Sequence, residues 1–92
     1  MRIIIAGAGA VGLHLAKLLS REDMDISLID SNPDKLGDLD ANYDLLTKVG
    51  LPTSINDLQE IRVKNVDLFI AVTPYESENI TACLLANELG AK

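Results

Sequence analysis

The chain has 92 residues, of which 48% are hydrophobic, so one core can form but two independent cores cannot. Eight basic and fourteen acidic side chains give a net charge of -6, which repels the phosphates of nucleic acids and anionic lipid surfaces. No apolar run approaches the roughly 20 residues of a membrane span, and the single cysteine, Cys83, excludes an intrachain disulfide. We therefore expect one cytoplasmic domain over residues 1–92, without a nucleic acid partner.

The amino-terminal third predicts one strand–helix–strand unit. Residues 2–6 are Arg2 followed by an apolar, mostly β-branched run, which is typical of a strand covered on both faces. After a glycine-rich turn, apolar residues recur at helical spacing and predict a helix with an inward stripe of Val11, Leu15, Leu18 and Leu19. Residues 26–30 form a short, largely apolar run that ends in an acid, which predicts the second strand.

The middle of the chain repeats this alternation. Asn32 and Pro33 predict the start of a second helix, because Asn can cap it and Pro suits its first position. Residues 45–49 predict the third strand, and Ser54 with Asp57 resembles a capping box for a third helix. The residues expected to face inward are Leu36 and Leu39 in the second helix and Ile55, Leu58 and Ile61 in the third.

The fourth strand and the last helix complete the pattern. Residues 68–72 are wholly apolar and contain no Lys, Pro or charge that would protect an edge strand. Thr73 and Pro74 predict the start of the last helix and Gly90 its end. The polar residues 76–79 are expected to cap it, and ligand contact is the alternative. The predicted shared face of this helix consists of Ile80, Cys83, Leu84 and Asn87, with Cys83 buried.

Four strands alternating with about four helices predict an α/β domain of the Rossmann type. The expected architecture is a doubly wound parallel sheet in the order 3-2-1-4, because sequential strands are joined by right-handed crossovers. In such sheets a ligand binds at the carboxyl ends of the strands. Here those ends lie at Gly7, Asp30, Gly50 and Thr73.

The first of these ends carries the pattern GxGxxG in Gly7, Ala8, Gly9, Ala10, Val11 and Gly12. Between a buried strand and a helix, this pattern is typical of dinucleotide-binding loops. Gly7 permits the tight turn, Gly9 lets the backbone approach a pyrophosphate, and Gly12 lets the helix pack close to the sheet. The alternative is that the three glycines serve only the turn and the packing.

Asp30 ends the second strand and is the candidate ligand of an adenosine ribose. Its carboxylate can accept hydrogen bonds from both ribose hydroxyls and repels a 2′-phosphate, which favours NAD(H) over NADP(H). The alternative is an ordinary solvated aspartate. Ser31 and Asn32 adjoin it as further candidate ribose contacts, although Asn32 is equally suited to capping a helix. No catalytic or metal-binding residue is predicted, because His14 faces solvent and no motif pairs a nucleophile with a base.

Three segments resemble a known family, the regulatory NAD-binding subunits of Trk-type potassium uptake systems, also called KTN or RCK N-terminal domains. These segments are MRIIIAGAGAVGLHLAKLL, LIDSNPDKL and AVTPYESENITACLLANELGAK. The resemblance implies a cytoplasmic regulatory subunit that is not an enzyme and that binds NAD(H), or ATP or ADP. It also implies assembly with further copies of itself, as a homodimer or higher oligomer, and with a membrane potassium transporter at the inner face of the cell membrane.

The resemblance also implies roles for particular residues. Residues 7–11 would hold the pyrophosphate, Asp30 the ribose, and Thr73 with Pro74 would lie near the nicotinamide half. The family often has Gly-Asp after the third strand, where this chain has Gly50-Leu51, so only a backbone contact at Leu51 is expected there.

The resemblance further implies a truncated domain, because the chain stops where the family's fifth strand would begin and strands 5 and 6 are absent. Two alternatives share the glycine and aspartate arguments. One is the cofactor-binding half of an NAD-dependent dehydrogenase, and the other is a stand-alone nucleotide-binding or assembly module.

Overall fold

A parallel sheet forms the centre of the domain in the computed structural model, which describes residues 1–20, 24–37 and 45–92. Its strands are β1 (Arg2–Ala6), β2 (Asp25–Asp30), β3 (Leu45–Val49) and β4 (Leu68–Ala71). They are hydrogen-bonded in the order β3-β2-β1-β4, and every neighbouring pair is parallel. The predicted fold class and strand order are confirmed.

Helices cover both faces of this sheet. Within the described ranges they are α1 (Ala10–Leu19), α2 (Pro33–Leu36), α3 (Ile55–Glu60) and α4 (Glu76–Glu88). Helices α1 and α2 contribute to a core on one face, formed by Ile3, Ile5, Ala8, Ala16, Ile26, Leu28, Leu36 and Leu45. Helices α3 and α4 contribute to a core on the other face, formed by Ile4, Ala6, Ile29, Leu58, Val63, Val66 and Ala86. Alternate residues of β1 thus enter opposite cores, as expected for a central strand.

Helix α1 contacts the sheet through small residues, and the predicted stripe of large residues is wrong in part. Gly12 and Ala16 are buried, whereas Val11 is 60% exposed and Leu18 is also exposed. Leu15 and Leu19 are partly buried against the core. The physical reason is the short distance between the helix and the end of β1, which leaves room only for glycine and alanine.

Helix α4 repeats this arrangement on the other face. Ala82 and Ala86 are buried against the sheet, and the predicted face of Ile80, Cys83, Leu84 and Asn87 points away from the core. Cys83 is therefore exposed, contrary to the prediction. The helix also begins at Glu76 rather than at Thr73. It ends at Glu88, and Gly90, the predicted end, follows in the left-handed conformation with φ +108°.

The two shorter helices begin as the sequence predicts. The Asn32 side chain accepts a hydrogen bond from the Asp34 N–H, and the Ser54 hydroxyl oxygen accepts one from the Asp57 N–H. Leu36 and Leu58 are buried, but Ile55 is half exposed because α3 has only six residues and presents one buried position. The predicted inward position Leu39 lies outside the described residues.

We predict that Gly12→Ala destabilises the domain. A Cβ at Gly12 would overlap the carbonyl oxygen of Gly7, so helix and strand would have to separate. Overpacking of this kind costs about 1–3 kcal/mol or more, and the gain in helix propensity of about 1 kcal/mol offsets only part of it. Urea unfolding should show a lower free energy of unfolding. Gly9→Ala is the control, since its Cβ meets no atom within 4 Å; equal losses in both variants would contradict the packing explanation.

Candidate functional site

The glycine loop is held close to the ends of two neighbouring strands. Gly7 has φ +114°, and its N–H donates to the Ile29 carbonyl oxygen at 2.9 Å. A Cβ at Gly7 would lie 2.9 Å from the Thr73 nitrogen and from the Val72 carbonyl group, closer than real Cβ atoms come. Gly7 and Gly12 are therefore required by the fold itself, whatever the protein binds.

Gly9 differs from both. It is the N-cap residue of α1 with φ −77° and ψ −168°, an extended conformation that any residue can adopt. A Cβ built there meets no protein atom within 4 Å, so the space beside Gly9 is open. No side chain caps α1, so the first backbone N–H groups of the helix have no side-chain acceptor. A phosphate group brought to this point would meet free donors and no obstructing side chain.

Asp30 joins the end of β2 to the glycine loop. Its Oδ2 accepts a hydrogen bond from the Ala8 N–H at 2.7 Å, and its Oδ1 accepts one from the Asn32 N–H at 2.8 Å. Each carboxylate oxygen can accept more than one hydrogen bond. The half-buried side chain therefore fixes the loop and still has acceptor capacity for a ligand.

A cleft of about 250 Å³ opens at the carboxyl ends of the strands. It brings together six of the predicted site residues, namely Gly7, Asp30, Ser31, Asn32, Thr73 and Pro74. It does not include Ala8, Gly9, Ala10, Val11, Gly12 or Leu51 in its lining, although residues 8–12 form the loop and helix start next to Gly7.

The other lining residues were not predicted as site residues. They are Ile29, Lys35, Pro52, Tyr75 and Glu78. Lys35 lies in the short helix that follows Asp30, and this nearness in sequence was the available signal. Tyr75 and Glu78 belong to the turn and helix start after β4, where the polar residues 76–79 predicted capping first and ligand contact only as the alternative.

Leu51 has little backbone left for a ligand. Its N–H donates to Asp57 Oδ2 at 2.8 Å, and its carbonyl oxygen accepts from the Ser54 N–H at 3.0 Å. A ligand would have to share the carbonyl oxygen. The backbone contact at Leu51 stays a prediction.

A second groove, of about 210 Å³, lies at the opposite edge of the sheet. Its lining includes Arg2, Asp25, Ser27 and Leu46, at or near the amino ends of their strands. Ligands of open parallel sheets bind at the carboxyl ends, where the loops and the helix N-termini converge. The cleft beside the glycine loop is therefore the candidate site.

The residues that the structure describes support neither a metal site nor a membrane-spanning helix. Among them, no group of three or more His, Cys, Asp and Glu side chains could hold a metal ion. No helix in the same ranges combines the length and the apolar character needed to cross a membrane.

The fold and the glycine loop define the class as a Rossmann-type α/β domain. Residues 3–92 match the family model of the TrkA-N domain, and the chain belongs to this family. It is 38% identical over 89 residues to the Trk system potassium uptake protein TrkA of Halomonas elongata and 40% identical over 86 residues to that of Vibrio alginolyticus. It is 35% identical over 92 residues to a TrkA homolog of Pyrococcus abyssi.

These matches cover nearly all of this chain but only part of the relatives. The region aligned with the Halomonas protein is 97% of this chain but 20% of that protein. For the Vibrio protein the shares are 94% of this chain and 19% of the relative. For the Pyrococcus protein they are 100% of this chain and 40% of the relative. Among solved structures, a "putative epimerase" from Bacteroides thetaiotaomicron superimposes with a TM-score of 0.71 at 22% identity, over 99% of this chain and 44% of that one. At this identity the likeness shows the fold alone.

We predict that Asp30→Ala loosens the glycine loop even without a ligand. Ala8 is buried, so its N–H would lose its acceptor without gaining water, at a cost of about 1–3 kcal/mol. Asp30→Asn keeps an acceptor oxygen and should cost less. The measurement is hydrogen exchange at the Ala8 amide, which should be slow in the wild type and faster in Asp30→Ala. Equal exchange rates in the wild type and both variants would show that Asp30 does not hold the loop.

Proposed function

We propose that this chain is an NAD(H)-binding regulatory domain of a potassium transport system. In this proposal it senses a nucleotide on the cytoplasmic side of the cell membrane and acts on a membrane potassium transporter. The transport role is supported by membership of the TrkA-N family and by relatives named as Trk system potassium uptake proteins. The nucleotide role is supported by the geometry of the cleft.

The observation that carries the nucleotide proposal is the difference among the three glycines. Side chains at Gly7 and Gly12 would collide with backbone atoms, whereas a side chain at Gly9 would extend into open space. Packing against the rest of the protein thus gives no reason for glycine at position 9. A bound pyrophosphate gives such a reason, because its approach to the first N–H groups of α1 requires the space that a Cβ would occupy.

The adenosine half of the ligand is assigned to Asp30. The carboxylate lines the cleft, and its remaining acceptor capacity suits the two hydroxyls of a ribose. A 2′-phosphate would be repelled. Lys35 lines the same cleft, but its exposed position lets solvent and salt screen its charge. The half-buried carboxylate therefore sets the preference for NAD(H) over NADP(H).

ATP and ADP are the second class of ligand for the same site. Both supply an adenosine with a free ribose diol and a chain of phosphates, which are the groups that Asp30 and the start of α1 would recognise. Calorimetric titration of NAD+, NADH, ATP and ADP against one preparation ranks these four candidates.

We further propose that the domain performs no chemistry on its ligand. His14 and Cys83 are exposed and absent from the lining of the cleft. The Thr73 hydroxyl lies in the cleft, but it is hydrogen-bonded to Asn79 and to the Tyr75 carbonyl oxygen rather than to a base. The cofactor-binding half of a dehydrogenase stays the alternative, and the TrkA relatives favour the regulatory function over it.

We expect NADH to bind the wild-type chain and NADPH to bind at least about tenfold more weakly, which is about 1.4 kcal/mol. The reason is the repulsion between Asp30 and a 2′-phosphate. Calorimetry at fixed ionic strength provides both dissociation constants. Equal affinities would refute the assignment of Asp30 to the ribose.

Gly9→Val provides the matching test of the loop in the same experiment. The variant should fold, because the extended conformation at position 9 accepts a branched residue, and it should lose about tenfold or more in NADH affinity. Gly37→Ala is the control: its Cβ would make only ordinary contacts, and Gly37 does not line the cleft. Normal binding by a folded Gly9→Val protein would overturn the cofactor proposal.

We also propose that the chain assembles with further copies of itself, because the two edge strands of the sheet differ. Strand β3 carries Lys48, a charge of the kind that protects edge strands, whereas β4 is a short apolar strand that pairs only with β1 in the described sheet. Leu68 on β4 is 42% exposed, and Leu84 on the adjoining helix α4 is 63% exposed. A second copy of the chain would cover these groups, and a twofold dimer is the commonest closed arrangement.

Sedimentation at several concentrations tests this proposal. We expect the 92-residue chain to self-associate in the micromolar range, and Leu68→Lys to shift it to monomer by adding a charge to the β4 edge. Leu46→Lys is the control, because Leu46 is 72% exposed on the opposite edge strand. A monodisperse wild-type monomer would contradict the proposal, as would equal effects of the two substitutions.

A further inference from the structure

The side chain of Asn79 is hydrogen-bonded to Thr73 at three points. Its Oδ1 accepts from the Thr73 N–H at 2.9 Å and from the Thr73 hydroxyl at 2.6 Å. Its Nδ2 donates to the Thr73 carbonyl oxygen at 3.0 Å. One amide side chain thus satisfies both backbone groups and the side chain of a residue six positions earlier.

Thr73 is the point at which the chain leaves the sheet. The Val72 N–H still donates to the Ala6 carbonyl oxygen at 2.8 Å, while Thr73 is bonded to Asn79 and not to a strand. The turn therefore ends β4 and delays the start of α4 to Glu76. This contact explains why the predicted helix start at Thr73 is wrong.

Thr73 also forms part of the candidate site. Its nitrogen lies 2.9 Å from the position that a Cβ on Gly7 would take, so it touches the glycine loop directly. Thr73, Pro74 and Tyr75 line the cleft on the side of β4. Asn79 is half-buried behind them and is not itself part of the lining.

We propose that Asn79 is a positioning residue of the nucleotide site. Through Thr73 it holds the wall formed by residues 73–75 against the glycine loop, so that the cleft has its binding shape before the ligand arrives. The proposal rests on the proposed nucleotide function and deepens it. It assigns to Asn79 a role in affinity without any contact to the ligand.

The chemistry of the three hydrogen bonds makes an amide necessary. The side chain must accept from two donors and donate to one carbonyl oxygen, which an ionised carboxylate of the same shape cannot do. In Asn79→Asp the carboxylate would instead place a negative charge beside the Thr73 carbonyl oxygen. Protonation of that carboxyl group would restore a donor, and the neighbouring carbonyl dipole favours the protonated form.

The test is NADH binding by the wild type, Asn79→Asp and Asn79→Ala between about pH 7.5 and about pH 5, with each variant compared to the wild type at the same pH. We expect both variants to bind about tenfold more weakly near neutral pH. Acidification should restore the affinity of Asn79→Asp relative to the wild type but not that of Asn79→Ala. An effect of side-chain shape alone would not produce this recovery, because aspartate has the shape of asparagine at every pH. Asn87→Asp is the control, because Asn87 is exposed on the same helix and away from the cleft.

The possible results separate this inference from the function on which it rests. If the wild type binds none of NAD+, NADH, ATP and ADP, the proposed function fails. If the wild type binds and Asn79→Asp binds equally well at every pH, the positioning role is overturned. Should the variants not fold, hydrogen exchange at the Thr73 amide of the wild type decides: protection supports the contact with Asn79, and exchange as fast as in an exposed loop overturns it.

Discussion

The close approach of helix α1 to the end of strand β1 is the contact on which the rest of the site depends. Gly12 lies against the carbonyl group of Gly7, and no side chain fits between them. This contact fixes the start of the helix at the carboxyl edge of the sheet, with Gly9 at its N-cap. The free N–H groups of the first turn are thereby brought to the place where the strand ends converge, and the dipole of the helix favours an anion there.

Two side chains hold the surroundings of this contact from opposite sides. Asp30 bonds the Ala8 N–H from the end of β2, and Asn79 bonds Thr73 beyond the end of β4. Both connections join groups of the chain to one another, so the chain itself holds the two sides of the cleft. Preorganisation of this kind raises affinity because less ordering remains to be done on binding. Thr73 also connects the glycine loop to the start of helix α4, where Ile80 and Leu84 are exposed.

The strand order and the glycine loop could be predicted because each depends on a local signal. Apart from Arg2, residues 2–6 are apolar on both faces, which predicts a central strand, and the glycine spacing places the loop directly after it. The helix faces could not be read from periodicity alone. Large apolar residues such as Val11 and Leu84 mark a stripe in the sequence, but the distance between helix and sheet is set by the smallest residues, Gly12 and Ala86.

The side-chain contacts of the site were predictable only in part. The position of Asp30 at a strand end predicts a site residue, but its hydrogen bond to Ala8 joins residues 22 positions apart and has no local signature. Asn79 lies in the first turn of a helix, which predicts a capping residue, with ligand contact as the alternative. The structure instead bonds the Asn79 side chain to Thr73, in the turn that lies close to Gly7.

We propose that the space beside Gly9 is a nucleotide site, and an NMR titration of the 15N-labelled chain with NADH is the direct test. The largest shifts of the amide signals should occur at Ala10, Val11 and Gly12, whose N–H groups would meet the pyrophosphate, with a second group at Asp30. Saturating NADH without shifts at these amides would contradict the claim. So would shifts centred on Ser27 and Leu46, in the groove at the opposite edge of the sheet.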